Sequence, residues 1–142
     1  MVKIRRAKKE DYVQLMSLYN GFVGEERYSN YNHDSFNQVL DSPSSVILVA
    51  EEQQTLVGFI TFSFRRVVRY PKPIVEIDEL YVSPKYRRKR VGRKLLEKSL
   101  EDSKKAGCYR MFIETHHKLK EAHRFYESMG FTNYGYHYIK DL

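Results

Sequence analysis

IVEIDELYVSPKYRRKRVGRKLL, from Ile74 to Leu96, is the stretch that decides the fold of this chain. Up to Val82 it reads as a strand. Ser83-Pro84 turns the chain, and a basic run of Lys85, Arg87, Arg88, Lys89, Arg90, Arg93 and Lys94 carries it into a helix near Gly92. A strand that passes through a loop into a helix N-terminus makes an anion site. The first helical N–H groups have no partner inside the helix, and the dipole is positive there. Guanidinium and ammonium groups around that point suit a polyphosphate.

Working outward, periodic segments fill almost the whole chain. Val2 to Arg6 is a short strand with Ile4 inward. Ala7 to Gly21 is a helix on the spacing of Tyr12, Leu15, Met16, Leu18 and Tyr19, with Gly21 as its exit. Gly21 to Asn32 reads as a loop. Phe36, Val39 and Leu40 give a second helix, capped by Asp34 or Ser35 and closed before Pro43. Val46 to Ala50 and Leu56 to Val68 form a hairpin, with Gly58 marking a bulge or a close approach. Downstream, Val91, Leu95, Leu96 and Leu100 stripe a helix ending at Gly107. Cys108 to Glu114 is a short buried strand. Lys118 to Met129 is a helix, and Phe131 to Ile139 alternates in part and is read as the last strand. The β-α-β unit in the middle implies a parallel pair, and the hairpins imply antiparallel ones. The expected fold is therefore α/β, a single domain over residues 1–142. Its sheet is mixed and mostly antiparallel, with a central parallel pair and helices on both faces.

Composition narrows the function classes. The chain has 142 residues, 42% of them hydrophobic, with a formal net charge of +7 and a pI near 9.4. Such a balance suits an anionic ligand: a nucleotide-like cofactor, a nucleic acid or an acidic membrane surface. One cysteine, Cys108, allows no internal disulfide and fits a reducing, cytoplasmic setting. The charged N-terminus and the lack of a long apolar run speak against secretion and membrane insertion. His116, His117 and His123 are expected to hold no metal, since neighbouring residues on a strand end point to opposite sides and no cysteine joins them.

Two motifs together carry a resemblance. Leu80-Tyr81-Val82-Ser83-Pro84 followed by Tyr86-Arg87-Arg88-Lys89-Arg90-Val91-Gly92-Arg93 is similar to the phosphate loop of the GNAT superfamily of acyl-CoA-dependent N-acyltransferases. Ala122-His123-Arg124-Phe125-Tyr126-Glu127-Ser128-Met129-Gly130-Phe131 is similar to that family's last helix and its exit. The element order agrees as well. Glu76-Ile77-Asp78-Glu79-Leu80 with the second motif also resembles the aminoalkylphosphonate N-acetyltransferase branch. There are two departures. Arg90 stands where the first motif glycine normally sits, and is expected to be tolerated with a negative φ and a side chain turned to solvent. Leu119 replaces an asparagine often found in the last helix.

The resemblance implies the acyl-CoA N-acyltransferase fold and transfer of an acetyl group from acetyl-CoA to a primary amine. Acetyl-CoA is the cosubstrate. Its pantetheine arm would lie on the backbone of Leu80, Tyr81 and Val82, and its pyrophosphate on Arg87, Arg88, Lys89, Arg90, Val91, Gly92 and Arg93. Glu76 matches the family's general base and is the first choice for it, Glu79 the second; alternation puts Glu76 and Asp78 on one face and Glu79 on the other unless a bulge intervenes. Tyr126 matches the acid that protonates the leaving thiolate. Tyr19, Phe22, Glu25, Tyr28 and Tyr31 are expected to meet the acceptor. That acceptor is a small-molecule amine or, alternatively, a protein N-terminus or lysine. A non-catalytic nucleic-acid-binding module is the rival from another class. No membrane partner is expected, nucleic acid is the weaker partner reading, and a homodimer stays open.

Overall fold

A computed structural model describes residues 1–24 and 32–142. It resolves into two compact units, Met1–Phe112 and Ile113–Leu142. In the first, β1 (Lys3–Arg6) leads through a 3-10 turn (Lys9–Asp11) into α1 (Tyr12–Val23). Then come α2 (His33–Asp41), β2 (Ser45–Glu52), β3 (Thr55–Arg65), β4 (Ile74–Val82), a 3-10 turn (Pro84–Tyr86), α3 (Val91–Lys105) and β5 (Arg110–Ile113). The sheet order follows the chain, β1-β2-β3-β4-β5. The pairs from β1 to β4 are antiparallel, and β4 with β5, joined by the α3 crossover, is the parallel pair. This is the mixed sheet expected from the β-α-β pattern.

Alternation along the strands feeds two cores. Ile47, Val49 and Phe59 point to one face and bury against Leu15, Met16 and Leu18 of α1 and Phe36 of α2. Leu48, Ile60, Phe62 and Ile77 take the opposite parity, and α3, whose Val91, Leu95 and Leu96 are buried, packs on β2, β3 and β4. At the sheet edge Arg5 donates to Asp11 (2.8 and 2.9 Å) and to Glu51 (2.9 Å), tying β1, the first turn and β2 together.

Several boundaries differ from the sequence reading. Helix α1 runs through Gly21 and stops at Gly24, whose φ of 75° suits a residue without a Cβ. Gly21 instead permits contact: a Cβ there would sit 2.5 Å from the Tyr81 hydroxyl. Helix α2 opens at His33, after Asn32, rather than at Asp34 or Ser35. Strand β3 stops at Arg65, and Val68 lies in the exposed turn that follows. Gly58 proves to be a close approach, since a Cβ would meet the Tyr81 carbonyl oxygen at 2.9 Å.

The second unit contains α4 (Lys120–Ser128). The strand expected over residues 131–139 is absent; the backbone there carries no ladder. Tyr134, Tyr136, Tyr138 and Ile139 are 74%, 89%, 91% and 87% exposed. Alternation selects faces, but a strand exists only where a partner edge accepts its hydrogen bonds. His116 and His117 do not diverge either. They lie beyond the end of β5, and their rings stack with centroids 4.4 Å apart. Among the described residues no helix is long and apolar enough to cross a membrane.

Candidate active site

The end of β4 and the start of α3 form one continuous site. Leu80, Tyr81 and Val82 are half-buried and pair with Ile60, Phe59 and Gly58 of β3. Their arrangement is fixed from behind by the narrow gap at Gly58. Past Val82 the chain turns on Ser83, whose N–H donates to the Val57 carbonyl (2.8 Å). Arg87 then reaches back, donating from Nε to the Val82 carbonyl (2.9 Å) with its guanidinium 5.4 Å from the centre of the Tyr81 ring. Lys89 lies over Tyr86 at 5.4 Å.

Arg90 corrects one expectation. Its φ is positive, 64° with ψ 16°, so an arginine holds the left-handed conformation that a glycine would take with ease, with its side chain exposed. Arg88 does the same at φ 61°. The loop thereby keeps a glycine-like path into α3, whose first N–H groups face outward from the helix. Exposed Arg87, Arg88, Lys89 and Arg90 surround that point, while Arg93 pairs with Glu97 at 2.8 Å. An amide cradle ringed by cations, at the end of a strand with half-buried backbone, fits the diphosphate and pantetheine of a CoA thioester.

Upstream, the structure settles the parity of the carboxylates. Thr61 pairs with Glu79, but the next pair is Phe62 with Ile77, so Asp78 is the extra residue of a β-bulge. Ser63 then pairs with Glu76. Because Thr61 and Ser63 share a face, Glu76 and Glu79 share it too, and the Ser63 hydroxyl donates to Asp78 (3.0 Å). Three carboxylates that strict alternation divides are gathered on the α1 and α2 side. The signal in the sequence was Ile77 and Leu80, apolar residues at an odd spacing.

These carboxylates differ in their partners. Glu76 is bound by Arg65 at 2.8 Å. Glu79 accepts the Tyr19 hydroxyl (2.5 Å) and the Thr61 hydroxyl (2.6 Å) on the same oxygen, Oε1, which leaves Oε2 to other work. Burial, reinforced by the Glu79 charge, holds the Tyr19 phenol far above its ordinary value, so it stays a donor. Burial also raises Asp78, against the pull of the Ser63 hydroxyl. Phe22 packs 5.8 Å from Tyr81 and 6.2 Å from Phe59. The Tyr19–Glu79 bond was missed in the sequence because its partners stand 60 residues apart.

In the second unit, Tyr126 is half-buried beside Phe125 (5.5 Å) and Phe131 (6.0 Å), and burial raises its phenol. Glu25, Tyr28 and Tyr31 lie outside the described residues.

Comparison with known proteins supplies the family. The model of the acetyltransferase (GNAT) family matches residues 10–131. An aminoalkylphosphonate N-acetyltransferase of Salmonella typhimurium is 27% identical over 140 residues, which cover 99% of this chain and 91% of that protein. An uncharacterized N-acetyltransferase of Archaeoglobus fulgidus is 34% identical over 115 residues, 70% of this chain and 72% of its own. A Bacillus halodurans protein described as a transcriptional regulator superposes over the full length of both chains with a TM-score of 0.93 at 22% identity, a likeness of fold. With the family's model spanning most of its length, over the strand, basic loop and last helix described above, the chain belongs to the acetyltransferase (GNAT) family and is an acetyl-CoA-dependent N-acetyltransferase.

Proposed function

We propose that this enzyme acetylates a small primary amine by direct attack on acetyl-CoA, with Glu79 as the base and Tyr126 as the acid. The observation that carries the base assignment is the grip on Glu79. Two hydroxyls fix one carboxylate oxygen, and the other is left to take a proton. Glu76, the first choice from sequence, spends its charge on Arg65. Glu79 also shares its strand face with Tyr81, two residues along the strand proposed to carry the pantetheine, while the Asp78 bulge brings Glu76 onto that face from further upstream.

The reaction balances simply. An ammonium acceptor gives a proton to Glu79, directly or through a water, and its nitrogen lone pair attacks the thioester carbonyl. As the C–N bond forms, the oxyanion is stabilised by a backbone N–H of the Leu80 to Val82 segment. The C–S bond then breaks, the thiolate takes the Tyr126 proton, and the second proton shed by the new amide nitrogen passes through water to restore the phenol. A phenol carries its proton at neutral pH, and burial raises Tyr126 further, so the transfer goes only to a strongly basic thiolate. The basic loop from Arg87 to Arg93 holds the diphosphate. The family match over residues 10–131 runs through both compact units, which supports one catalytic domain.

The relative from Salmonella typhimurium acts on aminoalkylphosphonates, which supports a small molecule over a protein as acceptor. The test is a pH–rate series on three variants. Glu79→Gln is expected to lose activity by ~10²-fold or more and to flatten the acidic limb, while Glu76→Gln keeps that limb. Tyr126→Phe is expected to slow turnover by ~10²-fold. An acidic limb retained in Glu79→Gln and lost in Glu76→Gln would return the base role to Glu76.

A further inference from the structure

Within the first unit a cavity of about 330 Å³ opens between α1, α2 and strands β2 to β4, beside Glu79. Its two sides differ in chemistry. From the helices, Leu15, Met16, Phe36 and Val39 form an apolar floor, beside the polar groups of Tyr19, Asn32 and Ser35. From the sheet, Asp78 and Glu79 form the opposite wall with Thr61 and Ser63 and their β2 partners Ile47 and Ser45. No lysine or arginine stands among the described lining residues, and the Arg65 guanidinium is held at Glu76.

The wall and the floor select different parts of a ligand. Two neighbouring carboxylates attract an ammonium and repel a phosphonate or carboxylate. Leu15, Met16 and Phe36 are buried and offer no hydrogen bond, so a hydroxyl turned toward them would lose its water without a partner. A hydrocarbon body gains there by leaving water. Glu79 is already committed through Oε1 to Tyr19 and Thr61, whereas Asp78 accepts, among the described residues, the Ser63 hydroxyl on Oδ2. The two carboxylates thus divide the work: Asp78 meets the incoming ammonium and Glu79 takes its proton.

We infer that this cavity is the acceptor subsite, and that the acceptor is a primary amine on a compact apolar body, an alkylamine or arylalkylamine, anchored by Asp78. The inference rests on the reading of the chain as an amine acetyltransferase and goes further in naming the class. It departs from the aminoalkylphosphonates on which the Salmonella typhimurium relative acts: the wall that would face such a substrate's anionic end carries negative charge.

The experiment is a thiol-release assay with acetyl-CoA against phenethylamine, butylamine, 1-aminoethylphosphonate and an aminoglycoside, alongside calorimetry of acetyl-CoA binding. Phenethylamine is expected to exceed the phosphonate in kcat/KM by at least ~10²-fold, in line with the penalty for unpaired or like-charged groups. Asp78→Asn is expected to raise the KM for phenethylamine by ~10-fold or more, with a smaller change in kcat and none in the KM for acetyl-CoA. Val39→Lys, which places a cation on a helix surface at the cavity wall, is expected to weaken phenethylamine and to narrow its lead over the phosphonate. A preference for the phosphonate or the aminoglycoside, or an unchanged KM in Asp78→Asn, overturns the inference and leaves the acetyltransferase reading intact. Acetyl-CoA binding with no turnover of any of the four amines overturns the small-amine reading, and the inference with it.

Discussion

Arg90 is the residue at which sequence and backbone conflict most openly. A left-handed conformation costs an L-residue roughly 1–2 kcal/mol, and glycine avoids it at a cost of roughly 0.5–1 kcal/mol in unfolded-state entropy. Arg90→Gly is therefore expected to raise stability by ~0.5 kcal/mol, and Arg90→Val to lower it by ~1 kcal/mol or more. Urea denaturation of the two variants checks this; equal midpoints would mean that the loop relaxes away from φ 64°. The retained charge has a use, since a guanidinium beside the helix N-terminus adds to the attraction for a diphosphate. Glu79 makes the same point about legibility. Its identity and distance from the phosphate loop were readable, but its partners Tyr19 and Thr61 belong to other elements.

Elements were read well where local chemistry fixes them. Strand β4 has the predicted bounds, Ile74–Val82, because a turn proline ends it and apolar residues fill it. Helix α3 follows its Val91, Leu95 and Leu96 stripe. Helix α4 is less well made: it opens after Leu119, which supplies no side-chain bond to the first turn and is 54% exposed. Leu119→Ser is expected to add ~1 kcal/mol by capping those N–H groups, seen as a rise in thermal midpoint. The tail after Phe131 failed as a strand for the opposite reason. Its tyrosines alternate, yet no described edge pairs with it.

At the scale of the whole molecule, the Arg5, Asp11 and Glu51 cluster closes the first unit's edge. Asp11 is 5% exposed, and its bond from Arg5, opposed by burial, holds its carboxyl below the ordinary range. A depressed folded value means that the unfolded chain binds the proton more readily. The stabilisation is complete above the unfolded value of ~3.9 and is lost as pH falls below it through the folded value. Asp11→Asn is expected to cost ~3 kcal/mol at pH 7, because it leaves Arg5 with one carboxylate fewer in a part-buried site. The variant should also show a shallower loss of stability between about pH 4 and pH 2. Denaturation midpoints across that range measure both effects.

The sequence by itself determined the order of elements, the mixed sheet and the basic loop at a helix N-terminus. Hydrophobic period, turn residues and charge runs are local properties, and they act before the chain folds. Tertiary structure alone decided which carboxylates meet at the site. A single extra residue at Asp78 reverses side-chain parity, and its position is set by how β4 pairs with β3 rather than by β4 itself. The clamp on Glu79, and the cavity with an acidic wall and an apolar floor, exist only once α1 and α2 lie on that face.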